Sequence, residues 1–159
     1  MLNAEHLRVE IVRPTLREIG LWTIEAEDLV METAAQESRL THLVQLGGGP
    51  GLGLWQMEPS THDDHWKTFL RFKPVLAKRV LSATNTGVEI PVAHFVPSAK
   101  HLVYNLRYGA AMCRAHYRRK PGAIPLTREG RALYWKEHYN TPLGRGTTDE
   151  YLLNAKIVS

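Results

Sequence analysis

The sequence predicts a mainly α-helical single domain, and three observations support this. Apolar residues between Thr23 and Gln36 recur at roughly helical spacing. A threonine followed three residues later by a glutamate, the pattern of a helix-starting capping box, occurs in residues 15–18 and 147–150. The chain has 159 residues and 43% hydrophobic content, which suits one core of ordinary size. We see no internal repeat and no low-complexity linker, so we expect one domain over residues 1–159.

The first half of the chain predicts three or four helices. Pro14 and the capping box after it predict a short first helix, because proline is favoured in the first helical turn. Thr23 is a good N-cap and begins a helix that ends at Glu37. Residues 65–82 predict one or two further helices, broken near Pro74.

The second half predicts a loop and three helices. Residues 88–92 and Pro97 favour an extended connection, because the residue before a proline avoids helical geometry. A long helix is predicted over residues 98–118. Residues 127–138 and 147–156 predict the last two helices, each beginning with a threonine.

Glu37 is the strongest candidate for a catalytic group. A glycosidic bond breaks when a carboxylic acid, kept protonated by an apolar pocket, donates its proton to the leaving oxygen. Glu37 lies at the C-terminal end of a predicted helix, where the negative end of the helix dipole and apolar neighbours disfavour the charged carboxylate. We therefore expect the pKa of Glu37 to be raised.

A glycine-rich segment lies downstream of Glu37. Residues 47–53 contain five glycines, so the backbone there can approach a ligand closely or adopt positive φ. Trp55, Gln56 and Met57 come soon after it. Aromatic and thioether side chains offer an apolar face to a sugar ring, and an amide offers both donor and acceptor. This pattern indicates a saccharide-binding floor, although packing in the core is an equally good interpretation of Trp55 and Met57.

The motifs around these residues resemble those of a known family. Glu37-Ser38 and the later run are similar to the Glu-Ser and Gly-Leu-x-Gln-x-x-Pro-x-Thr motifs of the soluble lytic transglycosylases, which are related to goose-type lysozymes. The run is Gly53-Leu54-Trp55-Gln56-Met57-Glu58-Pro59-Ser60-Thr61. Residues 105–112 resemble the family's Asn-Ile-x-x-Gly helix, and Tyr139-Asn140 resembles the Tyr-Asn pair that closes its cleft.

The resemblance implies a lysozyme-like fold with an active-site cleft between helical lobes. It implies cleavage of the β-1,4 bond between N-acetylmuramic acid and N-acetylglucosamine in peptidoglycan, with Glu37 as the single essential acid/base. No metal and no organic cofactor are implied. The residues expected to bind substrate are Ser38, Gly53, Leu54, Trp55, Gln56, Met57, Tyr139 and Asn140.

Two chemistries and one non-catalytic role stay open. In a transglycosylase the sugar's own C6 hydroxyl attacks C1 and forms a 1,6-anhydro product. In a lysozyme water attacks instead, usually with help from a second carboxylate, for which Glu58, Asp63 and Asp64 are candidates. The third possibility is a phage tail or virion component that keeps the fold and binds glycan or protein.

Charge and targeting signals bear on partners and location. The net charge is +4, with a basic cluster in residues 114–120, which suits an anionic partner such as a cell wall or, alternatively, a solvated helix end. No nucleic-acid-binding signature accompanies this cluster, so we expect no nucleic-acid partner. We see no signal peptide and no membrane-spanning run. We therefore expect a monomeric phage enzyme, made in the bacterial cytoplasm, that acts on the cell wall as an endolysin or is carried in the virion with virion proteins as partners.

Cysteine and histidine usage gives two structural interpretations. Cys113 is the single cysteine, so no intramolecular disulfide can form, and we expect it to be a small core residue. His62 and His65 have the spacing of one helical face, but a metal site needs a further well-placed ligand. We expect instead that residues 60–64 cap the next helix, with Asp63 and Asp64 in its first turn.

Overall fold

The structure is a computed structural model that describes residues 1–84, 95–140 and 144–159. It is mainly helical, at 66% helix, and no strand forms within these ranges, which confirms the predicted α class. The α-helices are α1 Ala4–His6, α2 Arg13–Glu18, α3 Ile24–Ser38, α4 Pro59–Thr68, α5 Pro74–Ala83, α6 His101–Tyr104, α7 Leu106–Arg118, α8 Arg128–Trp135 and α9 Thr148–Asn154. None of the helices in the described ranges combines the length and apolar character needed to cross a membrane.

The first helical stretch begins earlier than the sequence predicts. The Asn3 side chain accepts a hydrogen bond from the His6 amide at 2.9 Å and starts α1. A π-helical segment, Leu7–Val12, then joins α1 to α2. Pro14 therefore lies inside the stretch, where its missing N–H and bulky ring would disturb a regular helix, and the wider π turn before it accommodates both. The short helix predicted around Pro14 is present as α2, with Pro14 in its first turn, but it continues an earlier helical stretch, and Thr15 is a buried helical residue rather than a cap.

Helix α3 follows the prediction closely. The Thr23 hydroxyl accepts a hydrogen bond from the Ala26 amide at 3.1 Å, which satisfies an otherwise free N–H of the first turn. The helix continues one residue past Glu37 and ends where Arg39 adopts a left-handed conformation with φ 49°. Its apolar residues Leu29, Val30 and Met31 are completely buried, so α3 runs through the core.

A buried carboxylate of α3 binds the first helical stretch. The Glu27 carboxylate accepts hydrogen bonds from Arg8 at 3.0 Å, from Arg13 at 2.8 Å and from the indole of Trp22 at 2.7 Å. Burial alone would raise the pKa of Glu27, but the hydrogen bonds from Arg13, Trp22 and Arg8 lower it to about 2. Glu27 is therefore ionised at neutral pH and is matched by two guanidinium groups.

A second buried carboxylate, one turn further along α3, binds the last two helices. Glu32 accepts hydrogen bonds from Arg131 at 2.7 and 2.8 Å and from Arg128 at 3.0 Å, both on α8. It also accepts one from the Tyr151 hydroxyl of α9 at 3.0 Å. Since a buried charge is tolerated only when it is paired, Glu32 fixes the arrangement of α8 and α9 around α3.

Helix α4 begins at Pro59, and Glu58 is its N-cap without a side-chain capping hydrogen bond. Residues 60–64 are thus part of the helix, and Asp63 and Asp64 lie beyond its first turn, which corrects the predicted cap. The break near Pro74 is confirmed, because a 3-10 turn, Leu70–Phe72, separates α4 from α5. Proline has no N–H to offer a continuing helix, so α5 starts there.

The long helix predicted over residues 98–118 is two helices. Asn105, with φ −122° and ψ 96°, interrupts it between α6 and α7. Its side-chain oxygen accepts from the Tyr108 amide at 3.0 Å and caps α7, while its amide nitrogen donates to the Thr84 carbonyl at 2.7 Å. The expected extended connection over residues 88–92 lies outside the described residues, and Pro97 lies in irregular structure before α6.

The last two predicted helices are confirmed. Thr127 caps α8, which continues into a π-helical segment, Lys136–Asn140. Thr147 and Glu150 form the predicted capping box at the start of α9. Cys113 is a free thiol, completely buried in α7, as expected for a small core residue.

Candidate active site around Glu37

A cavity of about 610 Å³ lies beside the C-terminal end of α3. This volume falls in the range of roughly 300–1,000 Å³ typical of small-molecule sites. The residues that line the cavity come from distant parts of the sequence and are Glu37, Gln45, Gln56, Met57, Glu58, Thr61, His116, Tyr139, Asn140, Gly144, Arg145 and Gly146.

Glu37 is a partly buried acid in the wall of this cavity. Burial raises the pKa of its carboxyl group to about 7, against the opposing effect of a hydrogen bond from Trp135. That bond runs from the indole nitrogen to Oε1 over 2.9 Å. The expected rise of the pKa is confirmed, with burial as the main cause. A carboxyl group whose pKa lies this close to neutrality populates both protonation states near pH 7, so it is suited to donate and later accept a proton.

The glycine-rich segment leads into a tight turn below the cavity. Leu52 and Met57 exchange two backbone hydrogen bonds of 3.1 Å across this turn. Gly53 has a φ of 72°, and a Cβ there would collide with the carbonyl oxygen of Leu102, so only glycine fits at this approach to α6. Gln56 also has positive φ, at 48°, and its side-chain amide donates to the Gly53 carbonyl at 2.7 Å. The amide of Gln56 is therefore held in place at the cavity wall.

Several residues expected to bind substrate do not line the cavity. Trp55 is 1% exposed, and its indole donates to the Val30 carbonyl at 2.9 Å, so the core interpretation describes its position. Leu54 is also buried, and Gly53 belongs to the turn described above. The Ser38 hydroxyl donates to the Ala34 carbonyl of its own helix at 3.0 Å. These four residues are therefore not part of the cavity lining, whereas Met57 is buried and does line the cavity.

The π-helical segment after α8 brings Tyr139 and Asn140 to the cavity. The Tyr139 hydroxyl donates to the Trp55 carbonyl at 2.7 Å and so connects this segment to the turn below. The ammonium group of Lys136 donates to the Asn140 side chain at 2.8 Å and to the Gly144 carbonyl at 2.7 Å. Both residues of the Tyr-Asn pair thus line the same cavity as Gln56 and Glu37.

His116 is a cavity residue that the sequence did not single out. Its Nε2 donates to the His138 carbonyl at 2.6 Å, since a carbonyl can only accept. Its Nδ1 must then accept from Nε2 of His65, at 2.9 Å. Burial lowers the pKa of His116 to about 4 and that of His65 to about 3, so both rings are neutral at pH 7. This chain of hydrogen bonds anchors the segment that carries Tyr139.

His62 and His65 do not share a site. The His62 ring bonds to Asp63 at 2.8 Å and to the Tyr108 hydroxyl at 2.7 Å, whereas His65 bonds to His116. Across the described part of the chain, no three His, Cys, Asp or Glu side chains group in a way that could hold a metal ion.

The three candidate second carboxylates occupy different places. Glu58 is exposed and lines the cavity together with Glu37. Asp63 is bound to His62, and Asp64 is paired with Arg119 at 2.6 Å; neither lines the cavity. Arg145 is a lining cation that the sequence reasoning missed, although the flanking Gly144 and Gly146 mark an exposed turn.

Comparison of the chain with protein-family models, with curated proteins and with solved structures gives no match. Among the described residues, the wall of the cavity carries the partly buried acid Glu37, the exposed acid Glu58, the fixed amide of Gln56, the Tyr139 side chain, the neutral ring of His116 and the cation Arg145.

Proposed function

We propose that this protein is a muramidase that cleaves the β-1,4 bond between N-acetylmuramic acid and N-acetylglucosamine in peptidoglycan. We further propose that it is a lytic transglycosylase of the phage type with a lysozyme-like fold, in which the cavity at Glu37 forms part of the cleft. The observation that carries this proposal is a carboxyl group with a pKa of about 7 in the wall of a cavity large enough for a sugar. The motif resemblance supplies the substrate class.

The proposed reaction uses Glu37 twice. In its neutral form Glu37 donates its proton to the glycosidic oxygen while the bond from C1 to that oxygen breaks. The glutamate then accepts the proton of the C6 hydroxyl, whose oxygen forms the new bond to C1, and no water is consumed. The Trp135 N–H, 2.9 Å from Oε1, stabilises the carboxylate between the two steps.

Hydrolysis is the second candidate, and Glu58 is the observation that favours it. Glu58 is exposed and lines the same cavity as Glu37, so it could activate water for attack at C1. A transglycosylase needs no such group. The two proposals therefore differ in what they require of Glu58 and in the product that they release.

Digestion of purified peptidoglycan, followed by mass spectrometry, tests both proposals. The wild type should release anhydro-muramyl products, Glu37→Gln should release none, and Glu58→Gln should keep the product. Reducing muramic ends that disappear in Glu58→Gln would instead support the lysozyme mechanism. Glu10→Gln is the matched control, because Glu10 is exposed and does not line the cavity. Absence of cleavage by the wild type would refute the enzymatic proposal and favour a glycan-binding virion component.

A further inference from the structure

A second cavity, of about 690 Å³, lies between the end of α2, the turn from α4 to α5, and the end of α7. Among the residues that the structure describes, none lines both this cavity and the cavity at Glu37. We call it the basic groove, because its lining includes Lys73, Arg79, Arg118, Arg119 and Lys120 and, among the described residues, no aspartate or glutamate.

The basic groove coincides only in part with the basic cluster that the sequence shows in residues 114–120. Of residues 114–120, Arg114 is buried and donates to the Leu21 carbonyl at 2.9 Å, and His116 lines the other cavity. The fold instead adds Lys73 and Arg79, which are distant in sequence, to the cations at the end of α7. The positive surface is therefore a product of tertiary structure.

The charge of the groove is largely unbalanced. Within the described ranges, only Arg119 of its five cations forms an ion pair, with Asp64 at 2.6 Å. Cations gathered at one concave surface raise the local positive potential and attract an anionic partner. The surface thus has the charge that a phosphate-rich partner would complement.

Two apolar side chains stand at the groove with most of their surface in water. Phe72 and Val75 are each 66% exposed, and both line the groove. The guanidinium of Arg71 lies over the Phe72 ring, 4.9 Å from its centroid. Exposed apolar side chains ringed by Lys and Arg are typical of protein surfaces that rest on an anionic bilayer. There the apolar groups enter the boundary between headgroups and acyl chains while the cations meet the phosphates.

We propose that the basic groove binds the phosphate of an anionic phospholipid at a bilayer surface, with Phe72 and Val75 inserted beside it. An anionic bilayer fits the groove better than an acidic protein does, because the exposed Phe72 and Val75 side chains beside the cations can enter the boundary between headgroups and acyl chains. The proposed binding is peripheral and involves no membrane span. It is independent of the proposed cleavage reaction, since the groove residues in the described part of the chain do not line the Glu37 cavity.

Vesicle co-sedimentation of the full chain tests this proposal. Vesicles containing phosphatidylglycerol should bind the protein, those of pure phosphatidylcholine should not, and added salt should weaken the binding. Arg118→Gln and Lys73→Gln should each reduce the binding constant by about five-fold, the typical effect of one cation near an anionic surface. Lys156→Gln is the matched control, because it removes the same charge at an exposed site outside the groove and should leave binding within about two-fold.

The apolar part has its own test. Phe72→Ser should weaken vesicle binding, whereas Leu153→Ser, at a side chain that is 63% exposed outside the groove, should not. Equal losses in groove and control variants would overturn the proposal. Competition by polyglutamate would also overturn the proposal if polyglutamate displaces the vesicles and binds the Phe72→Ser variant as well as the wild type. That result would indicate a general polyanion surface or an acidic protein partner. Peptidoglycan cleavage by these variants reports separately on Glu37.

Discussion

Replacing Glu37 by glutamine should make the protein more stable in alkaline solution while it abolishes the proposed activity. The pKa of Glu37 is about 7 in the folded protein, against an ordinary value of 4.5. The folded chain therefore binds this proton more tightly than the unfolded chain. Its stabilising effect is complete below pH 4.5 and is lost as the pH rises from 4.5 through 7.

The size of the effect follows from the difference between the two pKa values. That difference, from 4.5 to about 7, corresponds to about 3 kcal/mol, at about 1.4 kcal/mol for each pH unit. Glutamine has the same shape, carries no charge, and its amide oxygen can still accept the hydrogen bond from Trp135. At pH 8 the variant should be about 3 kcal/mol more stable than the wild type, and at pH 4.5 the two should agree within about 1 kcal/mol.

Urea denaturation followed by circular dichroism at several pH values measures this difference. The slope of the free energy of unfolding against urea should not change, which would show that only stability differs. Other titrating groups act equally on both proteins and cancel in the comparison. Glu10→Gln, at an exposed site outside the cavity, is the matched control for loss of a surface carboxylate. A Glu37→Gln variant that is no more stable than the wild type at pH 8 would refute the view that burial holds this acid neutral.

Two further predictions concern groups around the cavity. Burial lowers the pKa of His65 to about 3 and that of His116 to about 4, below the ordinary 6.5, so stability should fall as the pH falls below 6.5. The expected loss at pH 5 is roughly 2 kcal/mol for each ring, measured by urea denaturation in the Glu37→Gln background, and a flat profile would contradict it. Tyr139→Phe removes the 2.7 Å hydrogen bond to the turn below the cavity and should cost about 1 kcal/mol of stability. The same substitution should also raise KM for peptidoglycan fragments. An unchanged KM would show that the hydrogen bond from Tyr139 to Trp55 does not position the residues proposed to bind substrate.

Local signals in the sequence predicted the helices that depend on local contacts. Thr23 and Thr147 cap helices through residues only three positions away, so their effect is visible in the sequence alone. The break at Asn105 could not be predicted from local sequence. The Asn105 side chain also donates a hydrogen bond to the carbonyl of Thr84, which lies at the C-terminal end of α5. The helical stretch before Pro14 was not predicted either, because a proline usually marks the start of a helix and here it follows a π-helical segment, Leu7–Val12.

The residues of the candidate site also fall into two groups, those that local sequence predicts and those that only tertiary packing brings to the cavity. The raised pKa of Glu37 could be expected from its place at the end of an apolar helix. His116 and Arg145 reach the cavity through the packing of segments that are distant in sequence, so no local sequence pattern predicts that they line it. Trp55 was ambiguous because an aromatic side chain serves a core as well as a sugar site, and only its hydrogen bond to Val30 decides its position.

The buried carboxylates Glu27 and Glu32 give α3 a particular role in the motions of the protein. Arginines of the first helical stretch and of α8 bind to α3 through them, and Arg8 also donates to the Val158 carbonyl at 3.0 Å, after α9. Helices at the edge of a domain usually open independently. Here, opening the first helical stretch would leave Glu27 without its arginine partners, and opening α8 would do the same to Glu32. These helices should therefore exchange their amide hydrogens together with α3 as one cooperative unit, and Glu37 belongs to that unit.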